Sequence, residues 1–151
     1  MTKNSIFNIA MKAIKQKYVY VGVPVIIQNS KGEILLGLRN KNMFTYPNTW
    51  GLPGGMADYG EKIEETAKRE VKEELGVDVI ITKRSKNIYQ NLPNEKCKFH
   101  SVDIPHYAKI IKGVPKAKDE TQEVKWFKPS EIKKIKMAYS HKENLKGEGL
   151  I

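Results

Sequence analysis

From residue 18 onward, dense apolar runs alternate with polar breaks. VYVGVPVIIQN (Val19 to Asn29) is rich in β-branched residues and ends at the turn-forming run Asn29-Ser30-Lys31-Gly32. GEILLGLRN (Gly32 to Asn40) follows, so the pattern predicts two strands paired as a hairpin. VDVIITKRSKNIY (Val77 to Tyr89) and CKFHSVDIPHYAKII (Cys97 to Ile111) read as further strands, with Pro105 marking an edge or a bulge. VKWF (Val124 to Phe127) is a last short strand, and Pro129-Ser130-Glu131 opens a short helix. The period changes between Glu61 and Leu75. There Ile63, Ala67, Val71 and Leu75 recur every fourth residue, without Gly or Pro, up to a natural cap at Gly76. That is an amphipathic helix. Ile6, Phe7, Ala10 and Ile14 recur at helical spacing too, which predicts a helical extension over residues 1–17 packed on a single domain of residues 18–151. A mixed sheet with helices packed on it, an α/β architecture, is the expected fold.

Composition narrows the setting without choosing a function. The chain has 151 residues, 40% of them hydrophobic, which suits one domain with a real core. Lys and Arg number 27 against 17 Asp and Glu, a formal net charge of +10 that favours anionic partners. Cys97 is the single cysteine, so there is no intramolecular disulfide and no thiolate metal cluster, and a reducing cytoplasm is the expected location. The first residues, broken by Lys12 and Lys15, read neither as a membrane span nor as a signal peptide.

Against this basic background, six glutamates crowd between Glu61 and Glu74. On the helix, Glu70, Glu73 and Glu74 fall on one face beside the apolar stripe. Carboxylates at i, i+3 and i+4 repel one another, and a place next to the core adds a desolvation cost. Cations held among them remove the conflict, and ligation by oxygen alone suits Mg²⁺, or Mn²⁺ in its place. Pro53-Gly54-Gly55 and Gly60 allow close backbone approach before the helix. Arg69 is placed to orient a carboxylate, and Glu61, at the helix start, is structural in this reading.

Gly55, Glu61, Arg69, Glu70, Glu73, Glu74 and Gly76, with aliphatic Val71 and Val77, match the box of the Nudix hydrolases at every specified position. VGVPVIIQNSKGEILLGLRN and NTWGLPGG upstream, and EVKWFKPSEI downstream, resemble that family as well, so the likeness spans roughly residues 18–145. It implies a Nudix-type α/β/α sandwich with a mixed β-sheet. It also implies an Mg²⁺-dependent hydrolase that cleaves the pyrophosphate bond of a nucleoside diphosphate linked to another group X. Carried onto this chain, the resemblance makes Glu70, Glu73, Glu74 and the Gly54 carbonyl the metal ligands. Glu70 and Arg69 belong to the catalytic set. The water-activating base is either a box glutamate or a residue of the later loop, Glu120 or Glu123, with Glu120 preferred because it lies farther into the loop.

Arg39 is a candidate phosphate contact, set against a surface ion pair. Phe44 and Tyr46 are candidates for stacking on a base, whereas Trp50 belongs to the core. His100 and His106 read as structural or substrate-lining, with structural preferred, and Cys97 as buried and inert. The substrate markers are thin: Pro93, sixteen residues after Val77, resembles the ADP-ribose-cleaving members, while the compact domain resembles those that cleave nucleoside triphosphates. The expected partner is a small nucleotide. An RNA 5′ end is the alternative substrate, a non-catalytic nucleotide sensor the alternative function, no membrane is involved, and a homodimer is left open.

Overall fold

The computed structural model describes residues 18–151; the helical extension expected over residues 1–17 lies outside them. The described chain runs β1 (Val19–Ile27), β2 (Ile34–Arg39), β3 (Trp50–Gly51), β4 (Gly54–Met56), α1 (Ile63–Leu75), β5 (Asp78–Arg84), β6 (Tyr89–Asn91), β7 (His100–Asp103), β8 (His106–Lys112), β9 (Thr121–Phe127), α2 (Pro129–Ile132) and α3 (His141–Gly147).

Two sheets form the middle layer. In the six-stranded sheet the order is β5-β8-β1-β7-β6, with β4 antiparallel to β1 on its other edge. β7 and β8 hold one continuous parallel register along β1, from Val19 opposite His100 to Ile27 opposite Ala108. They are in effect one strand, interrupted at Ile104-Pro105, as the proline in that run predicts. Its antiparallel partner breaks at the same level into β5 and β6, where Ser85 N–H donates to the Pro105 carbonyl. The three-stranded sheet has the order β3-β2-β9.

The expected β1–β2 hairpin is not formed. A single bridge, Gln28 to Ile34, joins the two strands, and β2 runs instead antiparallel to β9 and β3. The reason lies in two-sided burial. Val23, Val25 and Ile27 of β1 face one apolar cluster together with Leu35 of β2, whereas Ile26 faces a second cluster with Ile34 and Leu36. Each strand therefore needs cover on both faces, and separation into two sheets supplies it. Ala67, Val71 and Leu75 of α1 close the first cluster, and Ile132 of α2 and Leu145 of α3 close the second. Helices thus cover both sides of the sheets in an α/β/α arrangement.

Helix α1 ends as its sequence predicts, with Gly76 left-handed at φ 69° and its N–H donating to the Lys72 carbonyl. The loop between β8 and β9 is tied to the same helix end. Lys116 and Lys118 N–H groups donate to the Leu75 and Glu74 carbonyls, and Asn40 N–H donates to the Glu120 carbonyl at 2.8 Å. The two lysine bonds answer helix carbonyls that have no partner within the helix, and with the Asn40 bond they hold Glu120 at the site described next. Among the described residues no helix is long and apolar enough to cross a membrane.

Candidate active site

A cleft of about 710 Å³ opens over the junction of β4, α1 and the two sheets. Glu70, Glu73 and Glu74 line one end of it, together with Gly54, Gly55, Arg69 and Glu120. Arg69 organises this end. Its Nε and Nη2 donate to the two oxygens of Glu61 at 2.8 and 3.0 Å, and its Nη1 donates to Glu70 at 2.7 Å and Glu73 at 3.3 Å. Glu61 also accepts from Thr66 Oγ1 at 2.6 Å and from Asp58 N–H at 3.1 Å. With so many donors, led by Arg69, its carboxyl is lowered to about 2. Glu61 thus joins Arg69 and Thr66 of the helix to the Asp58 backbone ahead of it.

The two deeper carboxylates are in the opposite condition. Burial dominates at Glu70 and raises its pKa, against the pull of Arg69. At Glu74 burial pushes the carboxyl up to about 8, with only the Gly54 N–H, at 3.0 Å, and more distant Arg39 acting against it. Glu70 and Glu120 add their repulsion to Glu74, which places Glu120 within electrical reach of the cluster. The glycines are needed here. A Cβ built on Gly55 would run into the carboxyl group of Glu70, so a side chain there would push that carboxylate out of place.

This end of the cleft presents carboxylate oxygens and glycine backbone, with no histidine or thiolate among them. Such a donor set fits a hard divalent cation. Among the described residues, no three His, Cys, Asp or Glu side chains converge into a ready-made metal cage. The geometry gives the cause: Arg69 draws Glu70 and Glu73, while Glu74 turns to the Gly54 amide.

The rest of the cleft is walled by Arg39, Phe44 and residues the motif search did not single out: Asn91, Asp103, Tyr139 and His141. Arg39 forms no ion pair with any described carboxylate, so the surface-pair alternative is not realised. Its Nε donates to the Thr45 carbonyl and its Nη2 to Thr45 Oγ1, both at 3.0 Å, and it stacks 5.1 Å from the Tyr139 ring centroid. Phe44 is two-thirds exposed on the rim. Tyr46 is not brought into the cleft. Its hydroxyl accepts from Asn94 Nδ2, and its ring packs 4.7 Å from Tyr139 and lines a separate depression with Lys96 and Lys136. Trp50 packs edge-on to Phe127 against the second cluster, in keeping with a core role.

Residues 20–146 match the NUDIX domain. The chain belongs to the Nudix family. Among curated relatives, an ADP-ribose pyrophosphatase of Methanocaldococcus jannaschii is 32% identical over 126 residues, 83% of this chain and 70% of that protein. An RNA pyrophosphohydrolase of Wolbachia sp. subsp. Brugia malayi is 40% identical over 75 residues, 48% of this chain and 44% of that protein. The match thus spans less than half the length of the Wolbachia relative. In solved structures, the MutT protein of Methanosarcina mazei superposes with a TM-score of 0.69 at 26% identity, covering 89% of this chain and 97% of that one.

Within this Nudix domain the box residues stand where the helix pattern put them, and Glu120 rather than Glu123 lines the cleft. Glu123 lies inside β9, paired opposite Leu38. Asp103, His141 and Tyr139 escaped the motif reading because no local spacing links them to the box. The sequence signals available were slight: a histidine preceded by Ser140, and an aspartate at the end of the short strand His100–Asp103.

Proposed function

We propose that this Nudix protein hydrolyses the pyrophosphate bond of a nucleoside diphosphate linked to a further group. ADP-ribose-like nucleotide sugars are the leading substrate class and nucleoside triphosphates the second. One observation carries the reading: Glu70 and Glu74 are held at the cleft wall with raised pKa values, while neighbouring Glu61 takes the fullest share of Arg69. Carboxylates destabilised in this way gain by binding a cation together with an anionic substrate. The similarity to the ADP-ribose pyrophosphatase of M. jannaschii, which extends over most of both chains, supports the choice of leading substrate.

In this mechanism Glu70, Glu73, Glu74 and the Gly54 carbonyl would hold Mg²⁺, with Mn²⁺ as substitute. When bound, the ion neutralises diphosphate oxygens and makes water more acidic. Arg69 keeps Glu70 oriented through its 2.7 Å bond. Glu120, fixed by the loop bonded to the end of α1, accepts the proton of the attacking water. Arg39, held by Thr45 and Tyr139, retains one guanidinium nitrogen for a phosphate oxygen. Phe44 offers a ring at the rim for a base. The single cysteine, Cys97, is buried at 2% exposure, which fits a cytoplasmic setting.

The test is an Mg²⁺-dependence screen over ADP-ribose, nucleoside triphosphates, diadenosine polyphosphates and 5′-triphosphorylated RNA. ADP-ribose is expected to be cleaved fastest. A clear preference for triphosphorylated RNA would replace the substrate class. No hydrolysis of any compound, with nucleotide binding intact, would replace the enzyme reading with a sensor.

A further inference from the structure

His141 is the first residue of α3, far from the box in sequence, yet its ring lines the same cleft. Its Nδ1 accepts the backbone N–H of Leu52 at 3.0 Å. A nitrogen that accepts an amide proton carries none of its own, so the neutral ring has its hydrogen on Nε2. Burial, reinforced by the positive charge of Arg39, lowers the pKa of His141 to about 4 against the opposing pull of Asp103. The ring is thus a neutral donor in a fixed tautomer.

That donor has no acceptor among the described residues. The nearby carboxylate is already engaged: Asp103 accepts from Asn91 Nδ2 at 2.7 Å, Ser140 Oγ at 3.0 Å and Ser101 Oγ at 3.1 Å. The ring is held from several sides. Ser140, its chain neighbour, is tied to Asp103, the Tyr139 ring packs at 5.4 Å, and Leu52 caps Nδ1. Leu52 stands two residues before Gly54, so the bond couples His141 to the loop that enters the carboxylate end. Arg39 acts electrically on both Glu74 and His141, which puts a cation within reach of each. A neutral N–H donor beside a cation, facing a cleft whose other end is acidic, suits an anionic oxygen.

We propose that His141 is a substrate-contacting residue whose Nε2–H donates to a phosphate oxygen of the bound nucleoside diphosphate group, alongside Arg39. This rests on the pyrophosphohydrolase reading above and extends it to a residue outside the box. The contact adds a neutral donor beside Arg39, without placing a second full positive charge there.

His141→Asn separates this role from a structural one. The asparagine Oδ1 takes the place of Nδ1 and still accepts from Leu52 N–H, but its amide nitrogen does not reach the position of Nε2. A hydrogen bond to a charged group is worth enough that kcat/KM for ADP-ribose is expected to fall about 10- to 100-fold, with the melting temperature and the Mg²⁺ dependence unchanged. A near-normal kcat/KM in this variant overturns the inference. Should the variant melt early, the wild-type protein decides. With uniformly ¹⁵N-labelled protein and Mg²⁺ present, a methylene-bridged ADP-ribose analogue that resists hydrolysis is titrated until the amides lining the cleft stop moving. A shift of the His141 Nε2 resonance in step with those amides supports the contact, and moving amides with a stationary Nε2 refute it. Amides that never move refute the substrate reading itself, and the inference with it.

Discussion

Glu74 and Glu148 are both partly buried glutamates, and they stand in opposite states. Glu148, just past α3, is surrounded by donors. Ser85 Oγ, Asn87 Nδ2 and Tyr89 Oη give hydrogen bonds to one of its oxygens, and Tyr107 Oη gives one to the other at 2.6 Å. Those bonds lower its pKa although burial acts the other way. Glu74 has one donor, the Gly54 amide, and is pushed up to about 8. A carboxylate whose lone pairs are answered by the protein ties segments together, and here Glu148 fastens the C-terminal helix to the break between β5 and β6. One left mostly unanswered waits for a partner from outside. Glu74 is both the more deeply desolvated of the two and the one with fewer donors, and both differences push its carboxyl up.

The sharpest way to break this contrast is to neutralise each residue. Glu74→Gln is expected to lower Mg²⁺-dependent hydrolysis more than about 100-fold, since even groups that only support metal ligands cost 10- to 100-fold, while the fold is retained. Near-normal turnover in the folded variant would remove Glu74 from the site. For the proton acceptor, Glu120→Gln is expected to cost about 10²-fold or more in kcat, whereas Glu123→Gln stays close to wild type. Steady-state kinetics of the pair decides between them, and a reversed order would move the base to Glu123.

Glu148→Ala should reverse the pattern. Leaving its hydroxyl and amide donors without their acceptor is expected to destabilise the domain by about 1–3 kcal/mol, read as a lower midpoint in urea, with hydrolysis per folded molecule unchanged. A further effect is on pH dependence without metal. Glu74 has a folded pKa raised from 4.5 to about 8, so its contribution is fully present below pH 4.5 and is lost as pH rises through 8. Glu61, lowered from 4.5 to about 2, acts oppositely: its contribution is present above pH 4.5 and is lost as pH falls through 2. Thermal melts of metal-free protein between pH 5 and pH 9 should therefore show a decline that Glu74→Gln flattens. An unchanged slope in that variant would mean Glu74 does not hold its proton in the fold.

The box helix was legible because its determinants are local. Apolar spacing, the Gly76 cap and the i, i+3, i+4 carboxylates all lie within one element, and Arg69 is bonded to four nearby residues of the same motif and its lead-in, Met56, Glu61, Glu70 and Glu73. The interruption at Pro105 was legible for the same reason. The β1–β2 pairing was misread because both strands are apolar on both faces, and two-sided burial erases the alternation that assigns a strand to a sheet. Tyr46 and Phe44 are only two residues apart, yet the backbone turns at Tyr46, with a positive φ of 46°, and the two rings enter different hollows. His141 and Asp103 were invisible for a different reason. Their roles arise from contacts spanning 89 residues to Leu52 and 37 residues to Ser140, which no local spacing encodes.

The measurement that bears most directly on the central claim is Mn²⁺ binding, followed by the loss of the free-ion spin-resonance signal, in the wild type, Glu74→Gln and Glu148→Gln. The account predicts that the wild type and Glu148→Gln take up the ion equally and that Glu74→Gln does not. Equal uptake by Glu74→Gln, or equal loss in both variants, would contradict the assignment of the unanswered carboxylates as the metal site.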